Sequence, residues 1–387
     1  MPWKTGTFPA LLAGVLLACL ACAPEEPDET PPGGEVVATA DDGGAASGSL
    51  GGEVAGGADA PVSQSQPVAP PAGSGPARPA IPSPYAERFA GYGEVSVMTF
   101  NVHQYGLRPS PGDSSILVPK PAEETAALIE TIRLASPDIL VVQEMGGPDA
   151  WAEFQFRLRE AGLTGYAYDA YLRRGKHDLN LALLSRFPIV ANDSHVDDTY
   201  TIGPAQFPVM RGFLDVKIQI NSAYTLHILG AHLKSKVFHS FGAPEMRRNE
   251  ARLLGNHVRA ALRENPNDNL LVVGDLNDDP SSAPLRTITK EKGQSILYDI
   301  RPTDASGAAW TRRNADDSYT RIDYMLVSEG LLPETIPQKT YIPEAQHLPI
   351  ASDHRPLVAT FSAADRASSA PLLDITTRIP PALPTND

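Results

Sequence analysis

Short apolar segments that end in a polar residue recur along residues 94–361, and this pattern constrains the fold more than any other feature of the sequence. Asn101 ends the segment EVSVMTFN, Glu144 follows DILVVQ, His232 follows LHILGA and Asp275 follows LLVVG. Alternating or continuous apolar runs of this length are typical of buried β-strands. Because strand ends meet at the edges of packed sheets, we expect these polar side chains to lie together along one rim.

The rest of this region alternates between helical and strand-like patterns. Helices are expected over Thr125–Leu134, Pro148–Ala161 and Ala243–Glu264, where apolar residues recur with helical spacing. Strands alternate with these helices and also follow one another directly, as in Gly212–Ile220 and Tyr224–Ala231. This order predicts an α+β fold: a four-layer α/β/β/α sandwich of two mixed, mainly antiparallel sheets with helices outside.

Two connecting segments carry expectations of their own. Asn180–Leu184 and Ile189–Asp193 flank Arg186-Phe187-Pro188 and are predicted to pair like a hairpin. Gly106–Pro119, which contains three prolines besides two glycines, is predicted to be a loop.

The N-terminus has the pattern of an export signal. Lys4 precedes the apolar run FPALLAGVLLACLA, whose 14 residues are fewer than the roughly 20 that span a membrane. The tetrapeptides LLAC and CLAC, which end at Cys19 and Cys22, both resemble a bacterial lipoprotein cleavage site. We therefore expect residues 1–22 to be a lipoprotein-type signal peptide with Cys19 or Cys22 as the lipid attachment point. A plain secretory signal is the alternative.

Residues 23–92 have the composition of a disordered tether. Between Cys22 and Pro84 there are 12 Pro and 11 Gly but no Phe, Trp or Tyr, so the segment buries too little apolar surface to offset the entropy of ordering it. A single domain is expected at 93–363, followed by a disordered tail at 364–387. We expect the protein to be exported and lipid-anchored at the bacterial cell envelope, on the outer membrane or cell surface, or else secreted.

Charge and cysteine content limit the chemistry of the domain. The chain has a net charge of −14: the tether contributes −8, residues 93–387 contribute −7 and Lys4 contributes +1. A mildly acidic domain is not expected to coat nucleic acid non-specifically, although a local basic groove is compatible with this balance.

Both cysteines lie in the N-terminal segment, which excludes a thiol nucleophile, a cysteine-based zinc site and an iron–sulfur cluster from the domain.

The polar residues at the strand ends have ordinary structural explanations when each is taken alone. The turn Asp275–Pro280 is typical of a capping cluster, and Ser352-Asp353-His354 is equally compatible with a cap that carries a surface histidine. These explanations do not predict that so many polar residues stand at strand ends. A rim of carboxylates, amides and imidazoles suits a hard divalent cation.

In their order along the chain these residues resemble the motifs of the endonuclease/exonuclease/phosphatase superfamily. The matching segments span about residues 94–362 and are MTFNV, VQE, AHLKS, GDLN, RIDY and SDH. The superfamily includes pancreatic deoxyribonuclease, apurinic endonucleases, neutral sphingomyelinases and inositol-polyphosphate phosphatases, all of which hydrolyse phosphoester bonds with a divalent metal. Six motifs in one order are far more specific than any single tetrapeptide.

The resemblance implies a metal site at the rim. Glu144 would be a direct ligand of Mg²⁺ with Asn101 beside it, and Asp353 would supply a second metal position; Mn²⁺ and Ca²⁺ are alternative ions. Where many members carry an acid two residues after the asparagine, this chain has His103. Imidazole suits Mn²⁺ or a transition metal better than Mg²⁺, unless His103 faces the substrate or solvent.

The resemblance also implies catalytic roles for five residues. Asp323 would accept a hydrogen bond from His354, which would act as a general base or hold the phosphate as a cation. Asp275 would orient the attacking water, and Asn277 would donate to the phosphate. His232 would stabilise the pentacovalent phosphate or protonate the leaving group.

The substrate is less constrained than the reaction. Asn180, Arg211 and Lys234 stand at positions that resemble substrate-binding positions of the family. Basic residues that follow His232 resemble those of bacterial extracellular nucleases and are expected either to grip a nucleic-acid backbone or to form a solvated face: Lys234, Lys236, Arg247 and Arg248. A lipid or small phosphoester is the alternative substrate to DNA or RNA. A third possibility is that the domain is a binding module without catalytic activity. The resemblance makes a monomer the expected state.

Overall fold

The structure, a computed structural model, describes residues 92–110, 112–174, 179–344 and 346–366. The expected signal peptide with Cys19 and Cys22, the tether up to residue 91 and the tail from residue 367 lie outside the described residues. Within the described ranges, none of the helices has the length and apolar character needed to span a membrane.

The first sheet has five strands, with all strands numbered along the chain: β1 (Glu94–Tyr105), β4 (Ile139–Met145), β5 (Tyr168–Leu172), β6 (Asn180–Ser185) and β19 (Leu357–Ser362). Their order across the sheet is β19-β1-β4-β6-β5. The central pair β1 and β4 is parallel, and the other neighbours are antiparallel.

The second sheet has six strands: β7 (Ile189–Asn192), β10 (Phe213–Gln219), β11 (Thr225–His232), β12 (Leu270–Asp275), β15 (Leu297–Asp299) and β18 (Asp323–Ser328). Their order is β15-β18-β12-β11-β10-β7. Here the parallel pair is β11 and β12. Each sheet is therefore mixed but mainly antiparallel, as the sequence predicts.

Five helices are described: α1 (Ala122–Ala135), α2 (Pro148–Glu160), α3 (Ala243–Glu264), α4 (Ala283–Thr289) and α5 (Leu348–Ala351). Four small hairpins decorate the sheets: β2 (Leu107–Ser110) with β3 (Asp113–Pro119), β8 (Thr199–Ile202) with β9 (Ala205–Pro208), β13 (Lys290–Glu291) with β14 (Gln294–Ser295), and β16 (Arg312–Arg313) with β17 (Tyr319–Thr320). The bounds of α3 are those expected from its apolar spacing, and α1 and α2 lie within a few residues of the expected ones.

Successive side chains of a strand point to opposite faces of its sheet. One face packs against the other sheet and the opposite face packs against helices, which produces the four layers. In β1, Val95 and Val97 point toward the second sheet, whereas Met98 and Phe100 pack against α1 and α2. A third core joins α3 and α4 to the outer face of the second sheet. The α/β/β/α sandwich predicted from the sequence is confirmed.

The expected hairpin around Arg186-Phe187-Pro188 is wrong. β6 pairs with β4 and β5 in the first sheet, whereas β7 pairs with β10 in the second. The chain crosses between the sheets here because Phe187 is fully buried in the core that they share.

Within the segment expected to be a loop, Leu107–Ser110 and Asp113–Pro119 pair as the β2–β3 hairpin. Pro109 and Pro119 are tolerated because a two-stranded ribbon has free outer edges. The hairpin leaves the side chains of Leu107, Ile116 and Leu117 more than half exposed.

Candidate active site

The predicted polar residues meet at one rim because of the two parallel strand pairs. β11 and β12 end there at His232 and Asp275, and β4 reaches it at Glu144, one residue before its end. β18 runs antiparallel to β12, so its first residue, Asp323, lies directly opposite Asp275 in the register. β1 passes the rim at Asn101, after which its pairing with β4 becomes irregular.

Asn101 joins the two sheets across the rim. Its Nδ2 donates to Oε1 of Glu144 at 3.1 Å and to Oδ2 of Asp275 at 3.2 Å. Nε2 of His232 lies 3.5 Å from Oδ2 of Asp275 and 3.9 Å from Oε1 of Glu144. An amide and an imidazole thus lie between two carboxylates that would otherwise repel each other.

His354 reaches the same place from the segment before β19. Its Nδ1 lies 2.8 Å from Oδ2 of Asp323, and its Nε2 lies 3.8 Å from Oδ2 of Asp275. Ser352 fixes this segment, because its hydroxyl donates to the carbonyl of Asn101 at 2.8 Å and accepts from the His354 amide at 3.0 Å. Asp323 therefore sets the orientation of the ring and directs Nε2 into the site.

Left-handed backbone conformations cluster at these strand ends. Glu144 has a φ of 64° and Asn277 a φ of 53°, which costs free energy in a residue other than glycine. The Gln104 amide donates to Oε2 of Glu144, while Asn277 donates from its amide to Asp275 and from Nδ2 to the Leu233 carbonyl. These bonds hold both side chains toward the rim despite the strain.

Glycine precedes Asp275 for a steric reason. Gly274 has a φ of 128°, and a Cβ atom there would lie 2.0 Å from the carbonyl oxygen of Ala231 on β11. The close approach of β11 and β12 at this point brings His232 and Asp275 into register.

The electrostatics of the rim reflect burial and crowded charge. Burial and then the Asp323 carboxylate raise the pKa of Asp275 to about 7. Burial opposes protonation of His354, but Asp323 and other carboxylates outweigh it and raise its pKa to about 10. Burial and neighbouring cations, Arg211 first, lower the pKa of His232.

The donor set fits a divalent cation. Asp275, Asp323 and His354 each offer a ligand atom, and these atoms lie within 4.8 Å of one another. Nδ1 of His232 is buried without a hydrogen-bond partner among the described residues. Glu144 adds a third carboxylate beside this group, so that hard oxygen ligands dominate the site.

Asp353 and His103 lie together at the edge of the rim. The Asp353 carboxylate lies 3.2 Å from Nε of Arg312 and 3.8 Å from Nδ1 of His103. Burial would raise the pKa of Asp353, but His354, His103 and Arg312 outweigh it and lower that pKa. The structure therefore gives His103 a carboxylate neighbour.

The three predicted substrate-binding residues donate to backbone carbonyls that follow Glu144 and His232 in the chain. Nδ2 of Asn180 donates to the carbonyls of Met145 and Gly146, directly after Glu144. Nη1 of Arg211 donates to the Leu233 carbonyl at 3.4 Å. Lys234 is buried, and its Nζ donates to the Val237 carbonyl at 3.3 Å.

The basic residues that follow are ion-paired with nearby acids. Lys236 lies 3.2 Å from Asp279, and Arg248 lies 2.6 Å from Glu245 on the same helix. Arg247 is buried and lies 2.8 Å from the Asp278 carboxylate. These acids offset much of the positive field that the sequence suggests.

Two residues that hold the site residues in place are not predicted from the sequence. The Thr311 hydroxyl accepts from the amides of Ile322 and Asp323 and thereby positions the start of β18. Glu250, buried on α3, accepts from the Lys234 amide at 2.6 Å. A threonine in a loop and a glutamate in a helix carry no local signal of such contacts.

This fold and this rim define the class of metal-dependent phosphoester hydrolases. The model of the endonuclease/exonuclease/phosphatase family matches residues 98–354. The chain belongs to the endonuclease/exonuclease/phosphatase family.

Solved structures are similar to the chain at low sequence identity. A functionally unknown conserved protein from Enterococcus faecalis V583 is 14% identical, with a TM-score of 0.50 over 69% of this chain and 99% of its own. Truncated TDP2 of Caenorhabditis elegans is 18% identical, with a TM-score of 0.49 over 70% of this chain and 98% of its own. The human Nocturnin catalytic domain with bound sulfate is 19% identical, with a TM-score of 0.48 over 70% and 95% of the two chains. No curated protein sequence matches the chain.

Proposed function

We propose that the protein hydrolyses phosphodiester bonds of DNA or RNA by in-line attack of water, with a divalent metal ion as cofactor. The observation that carries this proposal is the Asp323–His354 pair, which faces Asp275 and lies across the rim from Glu144 and Asn101. A phosphodiester attack needs a cation site, a positioned proton acceptor and donors to the phosphate. The rim offers residues for each task.

Glu144 and Asn101 would hold Mg²⁺, with Asp353 at a second metal position. Carboxylate oxygens are hard ligands that suit Mg²⁺, and Mn²⁺ or Ca²⁺ are alternatives. The amide oxygen of Asn101 already accepts from the His103 amide at 3.0 Å, so Asn101 would stand beside the ion next to Glu144. A bound ion would polarise a phosphate oxygen and stabilise the charge that develops on the leaving oxygen.

The remaining residues would act on water and phosphate. Asp323 would keep the proton on Nδ1 of His354. The raised pKa of the ring favours the cationic form, in which Nε2 would bind a phosphate oxygen; in the neutral form Nε2 would instead receive a proton from water. Asp275 would orient the attacking water, because its Oδ2 faces both imidazoles. Asn277 would donate to the phosphate, and His232 would stabilise the transition state or protonate the leaving group.

The experiment is metal-dependent hydrolysis by the purified full chain. Plasmid DNA and bis-p-nitrophenyl phosphate should be cleaved with Mg²⁺ or Mn²⁺, and EDTA should stop both reactions. Glu144→Ala and His354→Ala should each abolish cleavage. Activity that survives both substitutions would refute the site assignment.

A lipid phosphoester is a second candidate substrate, and one observation favours it. The β2–β3 hairpin starts just beyond His103 and Gln104 and exposes Leu107, Ile116 and Leu117. An exposed apolar group of this kind is a potential contact with a membrane. Hydrolysis rates for DNA, RNA, sphingomyelin and inositol phosphates, compared at equal enzyme concentration, would rank the candidates.

We also propose that the protein is exported and anchored to the cell envelope by a lipid on Cys19 or Cys22. The apolar run and the two LLAC-type boxes in residues 1–22 support this location. Cys19→Ala and Cys22→Ala variants, followed by membrane fractionation, should identify the lipidated cysteine. If the double variant stays in the membrane fraction, the anchor is not a lipid on either residue.

A further inference from the structure

A segment of exposed apolar side chains directly follows the site residues of β11. We name residues 235–242 the aromatic loop. Phe238 is 87% exposed, Val237 54% and Phe241 45%. Single exposed apolar side chains are common on protein surfaces, but three among five consecutive residues beside a catalytic rim indicate a binding surface.

The aromatic loop has a defined conformation. Nζ of Lys234 donates to the Val237 carbonyl at 3.3 Å, which fixes the start of the loop from below. The Phe241 amide donates to Nδ1 of His239 at 3.3 Å. Phe207 of β9 packs edge-on against Phe241, with ring centroids 4.8 Å apart. Phe241 is thus supported by Phe207, and Phe238 projects into solvent.

The loop is also tied to the site. The Leu233 carbonyl, between His232 and the loop, accepts from both Asn277 and Arg211. Phe238 follows His232 by six residues, so the two lie within roughly 20 Å of each other even if the chain were fully extended. A strand of a few nucleotides bound at the rim would reach the exposed ring.

We infer that the aromatic loop stacks unpaired nucleobases of a single-stranded nucleic acid whose scissile phosphodiester lies at the rim. This inference rests on the proposed function and names its substrate class. Aromatic rings stack on the faces of bases, and in a duplex those faces are already covered by neighbouring bases. Phe238 is the main stacking residue.

The polar residues of the loop argue against the rival occupant, a lipid surface. Lys236 and His239 are interleaved with Val237, Phe238 and Phe241 in the sequence KVFHSF. Insertion into acyl chains would remove water from an ammonium group whose side chain is 49% exposed, which is costly. Beside a nucleic-acid strand, the same ammonium stays in water, where a phosphate would compete with Asp279, its ion-pair partner at 3.2 Å.

Equilibrium binding in EDTA, where metal-dependent cleavage does not consume the strand, tests the inference. A fluorescein-labelled single-stranded DNA oligonucleotide should bind the Phe238→Ala variant of the full chain about 5- to 150-fold more weakly than the wild type, the range that stacking of one base gives. Phe238→Trp should retain binding, and a duplex of the same sequence should show little effect of Phe238→Ala. The matched control is Phe156→Ala on α2, since Phe156 is 54% exposed in the helix layer and its loss should leave binding unchanged.

Removal of the base provides the second arm of this test. The wild type should bind an abasic oligonucleotide as weakly as Phe238→Ala binds the normal oligonucleotide. Phe238→Ala should bind the normal and the abasic oligonucleotides with equal affinity. Equal binding of the normal oligonucleotide by the wild type and Phe238→Ala would overturn the inference. So would a variant that loses affinity for phosphatidylcholine vesicles but none for the oligonucleotide.

Hydrolysis of bis-p-nitrophenyl phosphate separates this inference from the proposed function. If the wild type cleaves it with metal but Phe238→Ala binds DNA normally, only the inference fails. If the wild type cleaves no phosphodiester at all, the proposed function fails.

Discussion

Nδ1 of His354 lies 2.8 Å from the carboxylate of Asp323, and both side chains are buried. The two residues belong to different structural contexts, since Asp323 begins β18 and His354 precedes β19. A second bond, from the His354 amide to Ser352, holds the backbone. The ring therefore has a fixed orientation before any substrate arrives.

Asp323→Asn should lower kcat for bis-p-nitrophenyl phosphate by about 10²- to 10⁴-fold, with a smaller effect on KM. The amide removes the charge that orients and stabilises the imidazole, while its volume is nearly unchanged. Steady-state kinetics with Mg²⁺ would measure the effect. Asp299→Asn, which alters a carboxylate paired with Arg321 instead, should keep kcat within a few-fold of the wild type. Wild-type kcat in Asp323→Asn would contradict the role given to this pair.

Glu144→Gln should weaken metal binding in the absence of substrate. The neutral amide is a poorer ligand than the carboxylate, and a loss of at least about 10-fold in Mn²⁺ affinity is expected. Titration followed by electron paramagnetic resonance would report free Mn²⁺ directly. Glu123→Gln, at an exposed position in the first turn of α1, should bind Mn²⁺ like the wild type. Equal affinities for the two variants would place the ion elsewhere.

Stability should decrease between about pH 6.5 and pH 9 because of a buried histidine outside the site. His227 lies between Asp215, at 2.7 Å, and Asp268, at 2.5 Å. Burial opposes its charge, but the two hydrogen bonds outweigh it and raise its pKa to about 9. A pKa raised in the folded state gives stability that is complete below the unfolded value and is lost as pH rises through the folded one.

Urea denaturation at several pH values would measure this effect. The wild type should lose on the order of 3 kcal/mol of unfolding free energy across that interval because of His227. His227→Gln should show a flatter profile, whereas the exposed His347→Gln should follow the wild type. Parallel profiles for the wild type and His227→Gln would rule out the ion-paired imidazole as the cause.

Phe187→Ala should destabilise the domain by about 3–5 kcal/mol, because it leaves a cavity between the two sheets. Phe187 is fully buried in the shared core. Chemical denaturation would measure the change. Phe156→Ala removes an exposed ring and should alter the unfolding free energy by less than about 0.5 kcal/mol. A similar small change at both positions would mean that the core accommodates the loss of Phe187.

Phe187 also illustrates what the sequence left undetermined. Two strands with a short polar–aromatic–proline connection predict a hairpin, yet the same local pattern serves a crossover between sheets. The choice depends on which partners β6 and β7 find far away in the chain, and such pairing has no local signature. The β2–β3 hairpin is not predicted from the sequence for a different reason: prolines usually mark loops.

The layers of the sandwich and the rim were predictable because they depend on periodicity. Alternation in β1 assigns Val97 and Met98 to opposite faces, and strand ends place Glu144 and Asp275 at an edge. The ion pairing of Arg247 with Asp278 was not predictable, since the two side chains meet only after α3 packs on the sheet. The same holds for Thr311, whose hydroxyl acts on backbone amides.

The bond from Ser352 to the Asn101 carbonyl joins residues 251 positions apart. During synthesis, Asn101 leaves the ribosome long before Ser352 and His354 exist. A nascent or truncated chain that stops short of residue 352 lacks both the clamp and the imidazole, whatever its first sheet has formed. Hydrolytic activity is therefore a property of the finished polypeptide, and its appearance in a translation reaction would time the completion of folding.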